Sequence, residues 1–149
     1  MSFTVRDLRS DDRPGWEHLW AGYIDFYQAK MEPVTIEVTW SRMLDPNEPM
    51  FCLVAEDDDT HELIGLVHCV IHRGTWSIGN FCYLEDLFTA APARGRGVGR
   101  ALIEAVYKRA DELELSRVYW LTHETNATAR LLYDRIADHP GFIQYRKVL

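Results

Sequence analysis

The chain has 149 residues, 47% of them apolar and 26% charged, with a formal net charge of −7. That composition builds one ordinary domain with a real hydrophobic core; it excludes disorder as the main theme, and the acidic balance argues against a nucleic-acid partner. The longest near-apolar run, Leu63 to Ile71, is far short of the ~20 residues of a membrane span, and the charged start MSFTVRDLRSDDR is unlike a signal peptide. A cytoplasmic protein with no membrane contact is expected. Three cysteines, Cys52, Cys69 and Cys82, have no CxxC spacing and read as small buried hydrophobes, so neither a disulfide framework nor a metal is expected.

The elements follow in chain order. Phe3 to Leu8 alternates as a half-buried strand, and Ser10-Asp11-Asp12 before Pro14 opens a helix whose apolar set is Trp16, Leu19, Trp20, Tyr23, Ile24 and Tyr27, ending near Lys30. Pro33 breaks the chain, a short second helix covers Ile36 to Leu44, and the runs Phe51 to Ala55 and Leu63 to Ile71 form a hairpin around an acidic turn. A strand from Trp76 to Thr89 leads to the stretch Arg94-Gly95-Arg96-Gly97-Val98-Gly99-Arg100, which opens a helix striped by Ala101, Leu102, Ala105, Val106, Ala110 and Leu113. Val118 to Leu121 is a strand, Ala127 to Ile136 a helix, and Phe142 to Val148 alternates as a terminal strand. The order β, α, α, β, β, β, α, β, α, β describes a single mixed α/β domain spanning 1–149.

The charge is unevenly divided. Residues 1–62 hold 14 acids and 5 bases, whereas 63–149 hold 9 acids and 11 bases, clustered at Arg94, Arg96, Arg100, Lys108 and Arg109. One half suits an anion and the other a cation.

The glycine stretch is the most informative segment. Alternating glycines let a ligand approach the backbone, and a helix N-terminus presents unpaired N–H groups with partial positive charge. No Lys-Ser/Thr pair follows, so a Walker loop is excluded, and the GxGxG spacing does not meet the dinucleotide pattern GxGxxG. A tight connection is the plain alternative, but three guanidiniums favour a pyrophosphate.

Arg94 to Gly99 resembles the R/Q-x-x-G-x-G/A signature of the GCN5-related N-acetyltransferases (GNAT), whose loop holds the pyrophosphate of acetyl-CoA. Tyr83-Leu84-Glu85-Asp86-Leu87-Phe88 resembles the preceding strand of diamine and polyamine acetyltransferases. Asn126-Ala127-Thr128-Ala129 with Tyr133 resembles the family's cofactor-side helix, and Gly141-Phe142 with Tyr145-Arg146-Lys147 its terminal strand. The resemblance implies a single-domain fold with a mixed, mostly antiparallel sheet flanked by helices, acetyl-CoA as co-substrate without a metal, and a possible homodimer.

It also implies roles. Leu87, Phe88 and Thr89 present backbone groups to the pantetheine arm as if it were another strand, with the Phe88 N–H toward the thioester oxygen. Arg94, Gly95, Arg96, Gly97, Val98, Gly99 and Arg100 hold the pyrophosphate, with Asn126, Ala129 and Tyr133 also against the cofactor. Tyr133 is the general acid for the leaving thiolate, or a packed aromatic of its helix. Asn126 bonds the cofactor, caps its helix, or does both. Glu85 is the base, directly or through water, with the plain alternative of a solvated carboxylate; strict alternation puts Asp86 on the opposite face. Tyr27, Glu32 and Trp120 join Glu85 in binding the amine, although the Trp16 to Tyr27 stripe is mostly core. His68 and His72 fall on one strand face and Cys69 on the other, so a metal there is discounted. The resulting reading is acetyl transfer to a small cationic amine. The alternatives are a protein lysine or N-terminal acetyltransferase, histone-like tails included, and a catalytically inactive CoA-binding module.

Overall fold

The structure is a computed structural model that describes residues 2–149. Five strands form one sheet in the order β1-β2-β3-β4-β5: β1 (Phe3–Asp7), β2 (Met50–Asp57), β3 (Leu63–His72), β4 (Phe81–Thr89) and β5 (Arg117–Tyr119). Pairing is antiparallel from β1 through β4, and β5 runs parallel to β4. Four helices flank it: α1 (Arg13–Phe26), α2 (Pro33–Leu44), α3 (Val98–Glu112) and α4 (Ala127–Ile136). None is long and apolar enough to cross a membrane.

Helix α1 stops before Lys30 because Gln28 takes a left-handed φ of 52°, and the Ala29 N–H turns back to the Ile24 carbonyl. Pro33 opens α2 rather than breaking the chain, since the first turn of a helix needs no N–H from it. Residues 73–80 form a loop and not the start of β4, folding so closely that a Cβ at Gly74 would strike Phe81 and one at Gly79 would strike Ser116. Residues 142–148 take no strand among the described residues, and every residue from 138 to 149 is exposed. Alternation marks a segment that could pair, but the segment finds no partner strand within the chain.

The two sheet faces are packed differently. Against α3 and α4 lies an aliphatic core of Leu53, Ile64, Val67, Cys69, Cys82, Leu84, Val98, Leu102, Ile103 and Val106. Against α1 and α2 lie Trp16, Leu19, Trp20, Met43, Cys52, Val54 and Leu66, edged by Tyr23, Trp40 and Phe88. All three cysteines are free and buried. Leu102 crosses β3 close to Gly65, where a Cβ would stand 2.7 Å from Val98.

Candidate active site

Strands β4 and β5 pair over only three positions, Phe81 with Arg117 to Tyr83 with Tyr119. Beyond Tyr83 they part, leaving the β5-side edge of residues 84–89 without a strand partner. This is where an extended ligand can add itself to the sheet, along the stretch containing Leu87, Phe88 and Thr89.

The glycine stretch follows directly. Gly95 and Gly97 both have φ of 81°, and a Cβ at either would meet nothing within 4 Å. Their glycine identity therefore serves backbone conformation, beside open space that a ligand can enter. Gly97 is the N-cap of α3 and has no side chain with which to cap, so the first amides of the helix are left without a side-chain cap. Val98 is buried in the aliphatic core and anchors that end. The residues present thus fit a pyrophosphate.

The arginines are not equivalent. Arg100 pairs with Glu104 at 2.8 Å on the exposed first turns of α3. Arg96 reaches the buried Asp57 at 3.4 Å, tying the loop to the end of β2. Backbone N–H groups of Thr60 and Asp59, with Arg96 adding its charge, hold the Asp57 carboxyl below its usual range. Arg94 donates through Nε to the Thr89 carbonyl at 3.2 Å, with its guanidinium over the rings of Phe26 and Phe88.

A bulge in β4 sets the opposite wall of the opening. His68 pairs with Asp86 and Cys69 with Leu84, so Glu85 is the extra residue. The bulge breaks the alternation that would turn Asp86 away from the site. Instead Asp86 Oδ2 lies 3.0 Å from His68 Nδ1, on the α1 side of the sheet. Burial, then the charge of Asp86, pushes the Glu85 carboxyl above its usual range. The Tyr23 hydroxyl is raised as well, first by burial and then by Asp86, with Glu85 contributing. Both carboxylates therefore act on the same space.

From the far side come α4 and the chain leaving β5. Trp120 stands edge-on to Tyr133 at 5.3 Å between centroids and also lies beside Tyr107, against the aliphatic core. Burial and the neighbouring Tyr27 raise the Tyr133 hydroxyl, which keeps it a proton donor near neutral pH. Tyr27 in turn approaches His123, with ring centroids 6.2 Å apart, and meets Tyr23 at 4.9 Å. Asn126 occupies the N-cap position of α4 without a side-chain cap bond, its Nδ2 donating to Thr122 Oγ1 at 3.2 Å. Ala129 lies one turn further along α4 and is partly buried. Glu32 is the exposed N-cap residue of α2.

Tyr23, Tyr27, Glu85, Asp86, Phe88, His123 and Tyr133 thus meet around one cleft. Tyr23 and Asp86 are the residues that strand alternation and helix stripes hide, because both read as core or as facing away. The acidic first segment supplies neither cleft carboxylate. Six of its fourteen acids are engaged elsewhere: Asp12 and Glu56 with Arg6, Asp7 with Arg109, Asp57 with Arg96, and Glu17 and Glu37 with Arg13. No group of three or more His, Cys, Asp or Glu residues able to hold a metal occurs among the described residues. His68 bonds Trp16 and Asp86, and His72 bonds Tyr119.

A parted parallel strand pair and an open glycine turn on a helix N-terminus thus stand side by side, with Tyr133 on the facing helix. The Acetyltransferase (GNAT) family matches residues 5–137, and the chain belongs to that family of N-acetyltransferases. It is 36% identical over 143 residues to the D-amino-acid N-acetyltransferase HPA3 of Saccharomyces cerevisiae, covering 96% of this chain and 89% of that protein. Among solved structures it matches a ribosomal-protein-alanine N-acetyltransferase of Brucella melitensis with a TM-score of 0.82 at 19% identity, over 99% of this chain and 100% of the other. AAC(6′)-Iy in complex with the bisubstrate analogue CoA-S-monomethyl-acetylneamine matches with a TM-score of 0.83 at 17% identity, over the full length of both chains. These two structural likenesses show the fold.

Proposed function

We propose that the chain acetylates the primary amine of a small cationic acceptor, of the diamine or polyamine class, in the cleft between α1, β4 and α4. The observation that carries the acceptor class is the pair Glu85 and Asp86: among the described residues neither carboxylate is ion-paired to an arginine or lysine, and Glu85 is held above its usual range by burial and by Asp86. A cationic amine compensates that charge.

When bound, acetyl-CoA supplies the activated acetyl group as its thioester. The backbone of Leu87, Phe88 and Thr89 along the parted edge of β4 would hold its pantetheine arm, and the Phe88 N–H would serve the thioester oxygen. Gly95, Gly97, Val98 and Gly99 hold the pyrophosphate with the amides of the α3 N-terminus, while Arg94, Arg96 and Arg100 supply the surrounding positive charge. Asn126 and Ala129 flank the same ligand from α4. Glu85 takes a proton from the incoming ammonium, directly or through a water, so that the neutral nitrogen can attack. As the carbon–nitrogen bond forms and the carbon–sulfur bond breaks, Tyr133 would give its hydroxyl proton to the leaving sulfur, and the second proton shed by the nitrogen would restore the phenol. Tyr27, Glu32 and Trp120 border the acceptor's path. Juxtaposition of the two substrates supplies most of the acceleration, with the two proton carriers completing it.

An amino-acid acceptor is a second reading, favoured by the relative in yeast and by Arg94, whose guanidinium over Phe26 and Phe88 is placed for a carboxylate beside the amine. Thiol release from acetyl-CoA, measured in parallel with putrescine, spermidine, D-amino acids, an aminoglycoside and a histone-tail peptide, decides between them. The proposal expects the largest kcat/KM with a diamine or polyamine. Preference for D-amino acids, or binding of acetyl-CoA without turnover on any amine, overturns it.

A further inference from the structure

A chain of three polar groups runs inward from the cleft, with Asp86 partly buried and His68 and Trp16 fully buried behind it, and the proton transfers assigned above use none of them. Trp16, fully buried on α1, donates its indole N–H to His68 Nε2 at 2.9 Å. His68, 1% exposed, meets Asp86 through Nδ1 at 3.0 Å. An indole N–H can only donate, so Nε2 must accept, and the proton of the ring sits on Nδ1 and is donated to Asp86. The direction of both bonds follows from the chemistry of one partner.

The rest of the surroundings hold this arrangement in place. Trp20 packs on His68 with centroids 4.6 Å apart and is itself stacked on Tyr23. Cys52 of β2 stands opposite His68 in register, Tyr23 of α1 and Glu85 of β4 adjoin Asp86, and Arg13 covers the outer faces of Trp16 and Trp40. None of these brings a cation to Asp86. A carboxylate held only by neutral donors, the His68 ring and the Tyr23 hydroxyl, in a wall that supplies no counter-charge, keeps its charge available to a ligand. Elsewhere the chain treats its buried acids differently: Asp12 and Asp57 are each tied to an arginine.

We propose that Trp16 and His68 are positioning residues for the acceptor: Trp16 holds His68 as the Nδ1–H tautomer, and His68 holds the Asp86 carboxylate as the anion that anchors the acceptor's ammonium. This rests on the amine-acceptor reading above. It divides the labour of the two adjacent carboxylates, with Glu85 moving the proton and Asp86 holding the charge. The bulge at Glu85 is what allows both to serve one cleft.

Three variants test it, with spermidine as the acceptor probe. His68→Leu removes the donor to Asp86 and raises the KM for spermidine about tenfold or more, the scale of a lost hydrogen bond to a charged group, while the KM for acetyl-CoA stays within about twofold. His68→Asn keeps an N–H close to the Nδ1 position and restores most of the loss. Trp16→Phe keeps a buried ring but frees Nε2, and 15N NMR of the labelled histidines then shows His68 leaving the pure Nδ1–H tautomer seen in the unaltered chain. A purely structural role shifts both KM values together or shifts only thermal stability, and either result overturns the proposal. So does an Nε2–H tautomer in the unaltered chain, a readout that needs no activity and stands even where His68→Leu fails to fold. Absence of turnover on any amine defeats the acceptor reading instead, and the tautomer still decides the Trp16–His68–Asp86 arrangement.

Discussion

The two faces of the sheet are built from the same strands to opposite specifications. The α3 face is aliphatic and holds Leu102, Ile103 and Val106 fully buried, whereas the α1 face is aromatic and admits His68, with Asp86 at its margin. A dry aliphatic layer keeps the start of α3, and with it the glycine turn, in fixed relation to β4. An aromatic layer can hold polar groups edge-on in a defined direction, because indole and phenol groups combine apolar area with one hydrogen-bonding atom. The contrast teaches where each kind of substitution should register: in stability on the first face, in acceptor kinetics on the second.

Leu102→Ala should break the aliphatic face most severely. It removes a fully buried side chain packed over Gly65 and should cost about 3 kcal/mol of unfolding free energy, checked by denaturant titration, with the spermidine KM little changed in the folded fraction. Tyr133→Phe, at the border of the two faces, keeps the ring packing against Trp120 but removes the proton donor, so kcat should fall about a hundredfold with thermal stability nearly unchanged.

Gly97→Ala comes next. The open space around this position excludes a clash, but its φ of 81° strains any residue with a Cβ, so the loop should be disfavoured by about 1 kcal/mol and acetyl-CoA affinity should drop several-fold by calorimetry. The acidic limb of the kcat/KM profile sharpens the reading of the aromatic face. Glu85 must be deprotonated to accept a proton, and its carboxyl is raised by burial and by Asp86, so the limb should lie above the ordinary glutamate range. Asp86→Asn removes the second cause, and the limb should move to lower pH; a limb that stays in place denies Glu85 its role. The smallest effect belongs to the exposed Arg100–Glu104 pair: Glu104→Ala should change stability by less than about 0.5 kcal/mol.

Much of this was legible beforehand, and the misses share a cause. The hairpin, the helical stripe of α3 and the glycine turn are local patterns, and each forms where its periodicity or φ requirement puts it. The terminal alternation of 142–148 is equally clear as a pattern, but a strand needs an edge to pair with, and pairing is not a local property. The division of charge is likewise not a local property. The acids of residues 1–62 looked free for a cationic acceptor, yet Arg6, Arg13, Arg96 and Arg109 bind six of them, and each of these arginines reaches at least one acid 24 or more residues away in the chain.

The amino-acid order by itself determined the helices, the hairpin, the left-handed glycines before α3 and the family, because each rests on residues close along the chain. Only the tertiary structure decided what the cleft contains. One bulge in β4 turned Asp86 toward His68, and the packing of α1 put Trp16 behind it, more than fifty residues away in the chain. Two-residue alternation cannot foresee a bulge, since the extra residue is set by how β3 and β4 register under their packed faces. The charge that faces an acceptor is therefore a property of the fold, while the turn suited to an anion was already written in the glycines.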